Sequence, residues 1–114
     1  LFTEGAVVLV ANAADLPGAA AGLTEQLAAA GFVTAAPTNA AGNEAILETS
    51  KVYFLPGGFD AASSIAAAMG AVQVAPMPTP AWIVGATAAL GNANVLVMLG
   101  KDLAGQAIPA LAGR

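Results

Sequence analysis

Ala6-Val7-Val8-Leu9-Val10 is a short, unbroken apolar run rich in β-branched residues, and its reading decides the fold. A strand with one wet face alternates apolar and polar residues. A run apolar at every position reads as a strand covered on both faces. Asn12 follows, and then the period changes. Leu16, Ala20, Leu23, Leu27 and Ala30 recur every three or four residues, which draws one apolar stripe along a helix and turns Thr24, Glu25 and Gln26 mostly to water. Asp15 is placed to cap that helix, Pro17 suits its first turn, and Gly31 suits the left-handed position at its end. Phe32-Val33 opens a second strand, closed by Pro37.

The same order returns after an irregular segment, Thr38 to Ser50, in which Asn39, Gly42 and Asn43 mark a loop and Glu44 to Glu48 reads either as one helical turn or as an edge. Val52-Tyr53-Phe54-Leu55 is a strand stopped by Pro56-Gly57-Gly58. Asp60 is expected to cap a helix from Ala61 to Met69, whose Ala62, Ile65, Ala66 and Met69 share a face, with Gly70 ending it. Val72 and Val74 form a short strand that runs into the cluster Pro76-Met77-Pro78-Thr79-Pro80. Trp82-Ile83-Val84 fits more than one element, and Asn94 to Leu99 is the last strong strand. Two strand–helix–strand halves and a final strand predict one α/β domain. It is expected to be a two-layer sandwich, a mixed sheet of four or five strands with two helices packed on one face. The domain takes in residues 1–114, with a core from about 5 to 102; the order of the strands is left open.

Composition bounds the chemistry. Of 114 residues 58% are hydrophobic and 9% are charged, against roughly 25% charged in an ordinary soluble domain. Alanine supplies 31 of the apolar residues, while Leu, Ile, Val and Phe together number 30, enough for a folded core. Residues 61–100 carry no charge, but Gly70, Pro76, Pro78, Pro80, Gly85 and Gly91 interrupt them, so no membrane span is expected within the chain. The chain starts at Leu1 without a basic, signal-like segment and is expected to be a piece of a longer protein, anchored by a segment outside it. With no His and no Cys, zinc sites, His general bases, Cys nucleophiles and disulfides are excluded, and no metal or cofactor is expected. Three basic residues, Lys51, Lys101 and Arg114, against seven acidic ones exclude a nucleic-acid partner.

Each remaining constellation has a plain structural reading. Glu44 and Glu48 would share a helix face and could form a cation site or an acid–base pair, but solvated loop charges are the preferred reading. Asp15 and Asp60 fit helix caps better than ligand contacts. Gly57-Gly58 between a strand and a helix resembles a phosphate-cradling turn without the spacing of either nucleotide motif. A tight turn is preferred, with Asp60 beside it. Trp82 with Pro76–Pro80 forms either an exposed docking surface or a cover over the end of the core. Ser63 and Ser64 have no histidine base in the chain, so nucleophilic catalysis is not expected.

Taken in order, several stretches resemble one family, the C-terminal domain of LytR-type (LytR–CpsA–Psr) cell-envelope proteins. They are Val7 to Asn12, Pro17 to Phe32, Asn39-Ala40, Lys51 to Gly57, Ala61 to Gly70, and Ala93 to Asp102. The turn after the first strand, Asn12-Ala13-Ala14, departs from the family's usual Asn-Gly-Thr, and Glu44 to Ser50 looks like an insertion. The resemblance implies an extracytoplasmic module of Gram-positive, mostly actinobacterial, envelopes. Such modules follow a catalytic domain that transfers wall polymers, or stand alone behind a membrane anchor. The chemistry resides in that other domain, so this chain is expected to be a non-catalytic accessory domain that binds a cell-wall glycan or an envelope protein. Competing expectations are a protein-interaction or oligomerisation module, suggested by the low charge, and a small-ligand regulatory domain. The residues singled out for binding are Asn12, Gly58, Trp82 and Asp102; a single pocket joining Asn12, Gly58 and Asp102 would favour the regulatory reading.

Overall fold

Every residue from Val8 to Ala11 of strand β1 (Val7–Asn12) is buried, as the unbroken apolar run requires. The structure, a computed structural model, describes residues 7–14, 18–35, 37–41, 46–70, 72–77, 83 and 93–102. Helix α1 (Ala19–Ala29) carries the chain to β2 (Val33–Thr34), which lies parallel to β1 with Val33 opposite Val7. A two-residue strand, β3 (Thr38–Asn39), pairs further along the same edge, with Asn39 opposite Asn12. The second half repeats the pattern: β4 (Lys51–Phe54), α2 (Phe59–Ala68) and β5 (Gln73–Pro76), with β4 and β5 parallel. The last strand, β6 (Val95–Leu99), enters between the halves, parallel to β1 and antiparallel to β4. The order is therefore β2-β1-β6-β4-β5, with β3 beside β1.

Period-two alternation divides the core. Val8, Val10, Val52, Val95, Val97 and Leu99 meet the two helices on one face, as expected for a mixed sheet with its helices on one side. Leu9, Ala11, Tyr53, Leu96 and Met98 point to the other face, where Ala13, Ala40, Ile83 and Ala93 join them. All five residues of β6 are buried, which suits a strand with neighbours on both edges and cover on both faces. The expected stripes pack inward: Ala20, Leu23, Leu27 and Ala30 from the first helical segment, Ala62, Ile65, Ala66 and Met69 from the second. Much of this surface is alanine, so large residues such as Leu27 and Ile65 dominate, each contributing about 1.5–3 kcal/mol on burial.

Asn94 ties the amino-terminal end of β6 to its neighbours. Its side-chain Oδ1 accepts the Val7 N–H at 2.9 Å, and its own N–H donates to the Val7 carbonyl at 3.0 Å. The Asn94 carbonyl accepts the Leu55 N–H at 2.9 Å.

The expected caps need correction. The residue before α1 is Gly18, in the left-handed region (φ 82°), with no side-chain cap; Asp15, Leu16 and Pro17 lie outside the described residues. A residue at that φ cannot belong to a right-handed helix, so α1 starts after it. At α2 the cap position is Gly58, and Asp60 sits inside the first turn, where its charge favours the positive end of the helix dipole without capping it. Gly31 (φ 106°) and Gly70 (φ 99°) follow the two helices as expected. Residues 46–50 form no helical turn. They run instead beside the end of β6: Leu47 N–H donates to the Ala13 carbonyl, and Lys101 and Asp102 N–H groups donate to the carbonyls of Leu47 and Glu48. Glu44 lies outside the described residues; Glu48 is exposed and pairs with Lys101 at 3.5 Å.

Candidate functional site

Three segments converge at the carboxyl end of β1. Asn12 closes the strand, Thr38 and Asn39 lie alongside in β3, and α1 begins just after Gly18. Between them is a cleft of about 180 Å³, bordered by Asn12, Gly18, Ala21, Pro37, Thr38 and Asn39 among others. Crevices at the carboxyl ends of strands are where open α/β sheets hold ligands, because strand ends and helix starts converge there. The polar side chains here are two amides and one hydroxyl. Among the described residues that line the cleft, none is charged.

The turn above the cleft is bound within the chain. Asn12 Oδ1 accepts the Ala14 N–H at 3.0 Å, and the Ala13 N–H donates to the Leu99 carbonyl at 2.9 Å. The Ala13 and Ala14 N–H groups thus have partners within the domain. The Asn12 carbonyl also accepts the Ala40 N–H at 3.0 Å, which fixes β3 at the rim.

The other singled-out residues are elsewhere. Asp102 follows β6 at the same end of the sheet, since Leu99 pairs with Asn12, but it does not line the cleft. Its Oδ1 accepts the Ser50 N–H at 3.0 Å and the Ser50 hydroxyl at 2.8 Å. Gly58 is at the opposite end, packed so closely on Asn94 that a Cβ would meet the Asn94 carbonyl oxygen at 2.6 Å. Trp82, Pro78 and Pro80 lie outside the described residues. Among the described residues, the cleft at Asn12 is bordered by neither Gly58 nor Asp102.

Three residues escape a reading by motif. Thr38 and Asn39 border the cleft from a strand too short to show a period, although Asn39 belongs to the stretches that carry the family resemblance. Ser50 ends a segment that reads as loop, yet it is 2% exposed and accepts the Gly100 N–H at 2.9 Å. Its one sequence signal is its place directly before β4.

Among the described residues, no helix is long and apolar enough to cross a membrane, and no group of three carboxylates is placed to hold a metal ion. Neither the curated proteins nor the solved structures gave a match to this chain. The family model of the LytR cell envelope-related transcriptional attenuator, the LytR C-terminal family, matches residues 6–103, and the chain belongs to that cell-envelope family.

Proposed function

We propose that this domain is a non-catalytic, extracytoplasmic accessory module that holds a cell-wall glycan in the cleft at the end of β1 and so positions a neighbouring activity of its parent protein. The observation that carries the reading is the cleft's lining: Thr38 and Asn39 offer a hydroxyl and an amide to a hydroxylated ligand from a strand paired with β1 beside Asn12. Membership of a cell-envelope family supplies the setting. The composition agrees, because a chain without His or Cys lacks the usual general base and the most reactive nucleophile. Anchoring by a segment outside residues 1–114 belongs to the same proposal.

Co-sedimentation of the folded domain with purified peptidoglycan and with arabinogalactan tests it. Retention on either supports glycan binding. A folded sample that stays in solution with both removes the glycan reading and leaves an envelope protein as the partner to seek.

A further inference from the structure

Resting on the glycan reading, we infer that the cleft accepts one uncharged sugar residue of a wall polymer, recognised through its hydroxyl or acetamido groups, and not a phosphate- or carboxylate-rich polymer. Three observations carry this. First, the described lining offers the amide of Asn39 and the hydroxyl of Thr38, groups that match neutral hydroxyls and amides as donors and acceptors, beside Asn12, whose Oδ1 is held by the Ala14 N–H. Second, no basic side chain is among the described residues lining the cleft. Lys101, at the same end of the sheet, is paired with Glu48 at 3.5 Å. A polyanion is held by neutralising several of its charges at once, and a chain of net charge −4 opposes its approach. Third, about 180 Å³ is below the roughly 300–1,000 Å³ of ordinary small-molecule pockets, which suits a single ring and not an extended segment.

So small a contact gives an isolated saccharide millimolar affinity at best. Useful retention would come from many repeats along a polymer.

The test is an NMR titration of the domain with three probes: an N-acetylglucosamine disaccharide, a neutral arabinogalactan fragment and poly(glycerol phosphate). The first two distinguish the neutral sources. The expected result is that one or both neutral saccharides shift the Asn39 side-chain amide and the backbone amides of Thr38 and Ala21, with an affinity that stays level from about 50 to 200 mM salt. Ala21 is exposed on α1, so Ala21→Trp fills the cleft from outside the core and is expected to weaken binding by about tenfold or more. Asn39→Ala, also at an exposed position, checks the polar contact, and circular dichroism checks that each variant is folded. Binding of poly(glycerol phosphate) that falls steeply with salt, or saccharide binding that neither variant changes, overturns this inference while leaving retention on wall material intact. Failure to bind any probe, together with no retention on peptidoglycan or arabinogalactan, overturns both.

Discussion

The hydroxyl of Ser50 donates to Asp102 Oδ1 at 2.8 Å while its oxygen accepts the Gly100 N–H at 2.9 Å, so one buried side chain joins the entry to β4 with the exit from β6. The Ser50 N–H reaches the same carboxylate oxygen at 3.0 Å. Gly100 lies so near this segment that a Cβ would meet Thr49 and Ser50 backbone atoms at 2.7–2.9 Å.

Ser50→Ala removes the acceptor of the buried Gly100 N–H and one donor to Asp102. Leaving a buried donor unpaired costs about 1–3 kcal/mol, and a loss in that range is expected by urea denaturation. Lys101→Ala is the control. Its ion pair with Glu48 joins side chains that are 50% and 82% exposed, and removing such a pair changes stability by about 0–1 kcal/mol. Equal losses for the two variants would show that Ser50 is not a structural tie.

Glycine substitutions should split by environment. Gly58→Ala drives a methyl group into the Asn94 carbonyl at 2.6 Å, where backbone must move, and a loss of about 1–3 kcal/mol is expected. Gly22→Ala, inside α1 with open space around it, is expected to stabilise by about 0.5–1 kcal/mol through helix propensity. Thermal melts of the two variants should therefore shift in opposite directions.

Burial of both sheet faces gives a further test. Val97 faces the helices and Met98 the opposite side, and each is fully buried. An unpaired carboxylate is strongly disfavoured at either position, so Val97→Asp and Met98→Asp are both expected to abolish cooperative unfolding. A folded Met98→Asp protein would mean that the second face is open to water.

Much of this architecture is legible in the chain because its signals are local. The β1 and β6 runs are apolar at every position, and the stripes of α1 and α2 recur at helical spacing, so the two strand–helix–strand halves follow from the sequence. The insertion of β6 between them does not, because it depends on pairing Val8 with Val95 and Val52 with Val97 across long stretches of chain. The caps depart from their sequence signals for a different reason. Asp15 and Asp60 are good capping types, but Gly18 and Gly58 take the cap positions, one through a left-handed backbone and the other through its close approach to Asn94. At the cleft, Asn12 is legible as the end of a strong strand. Thr38 and Asn39 become its neighbours through a two-residue pairing that no period announces.

Co-sedimentation of the native domain and Ala21→Trp side by side with peptidoglycan and arabinogalactan asks whether this cleft is where a wall glycan is held. Ala21 borders the cleft at an exposed position, so the substitution obstructs the site and spares the core. Retention of the native domain on at least one polymer, lost in the folded variant, is the predicted result. Equal retention of the two proteins, or retention of neither, would contradict it.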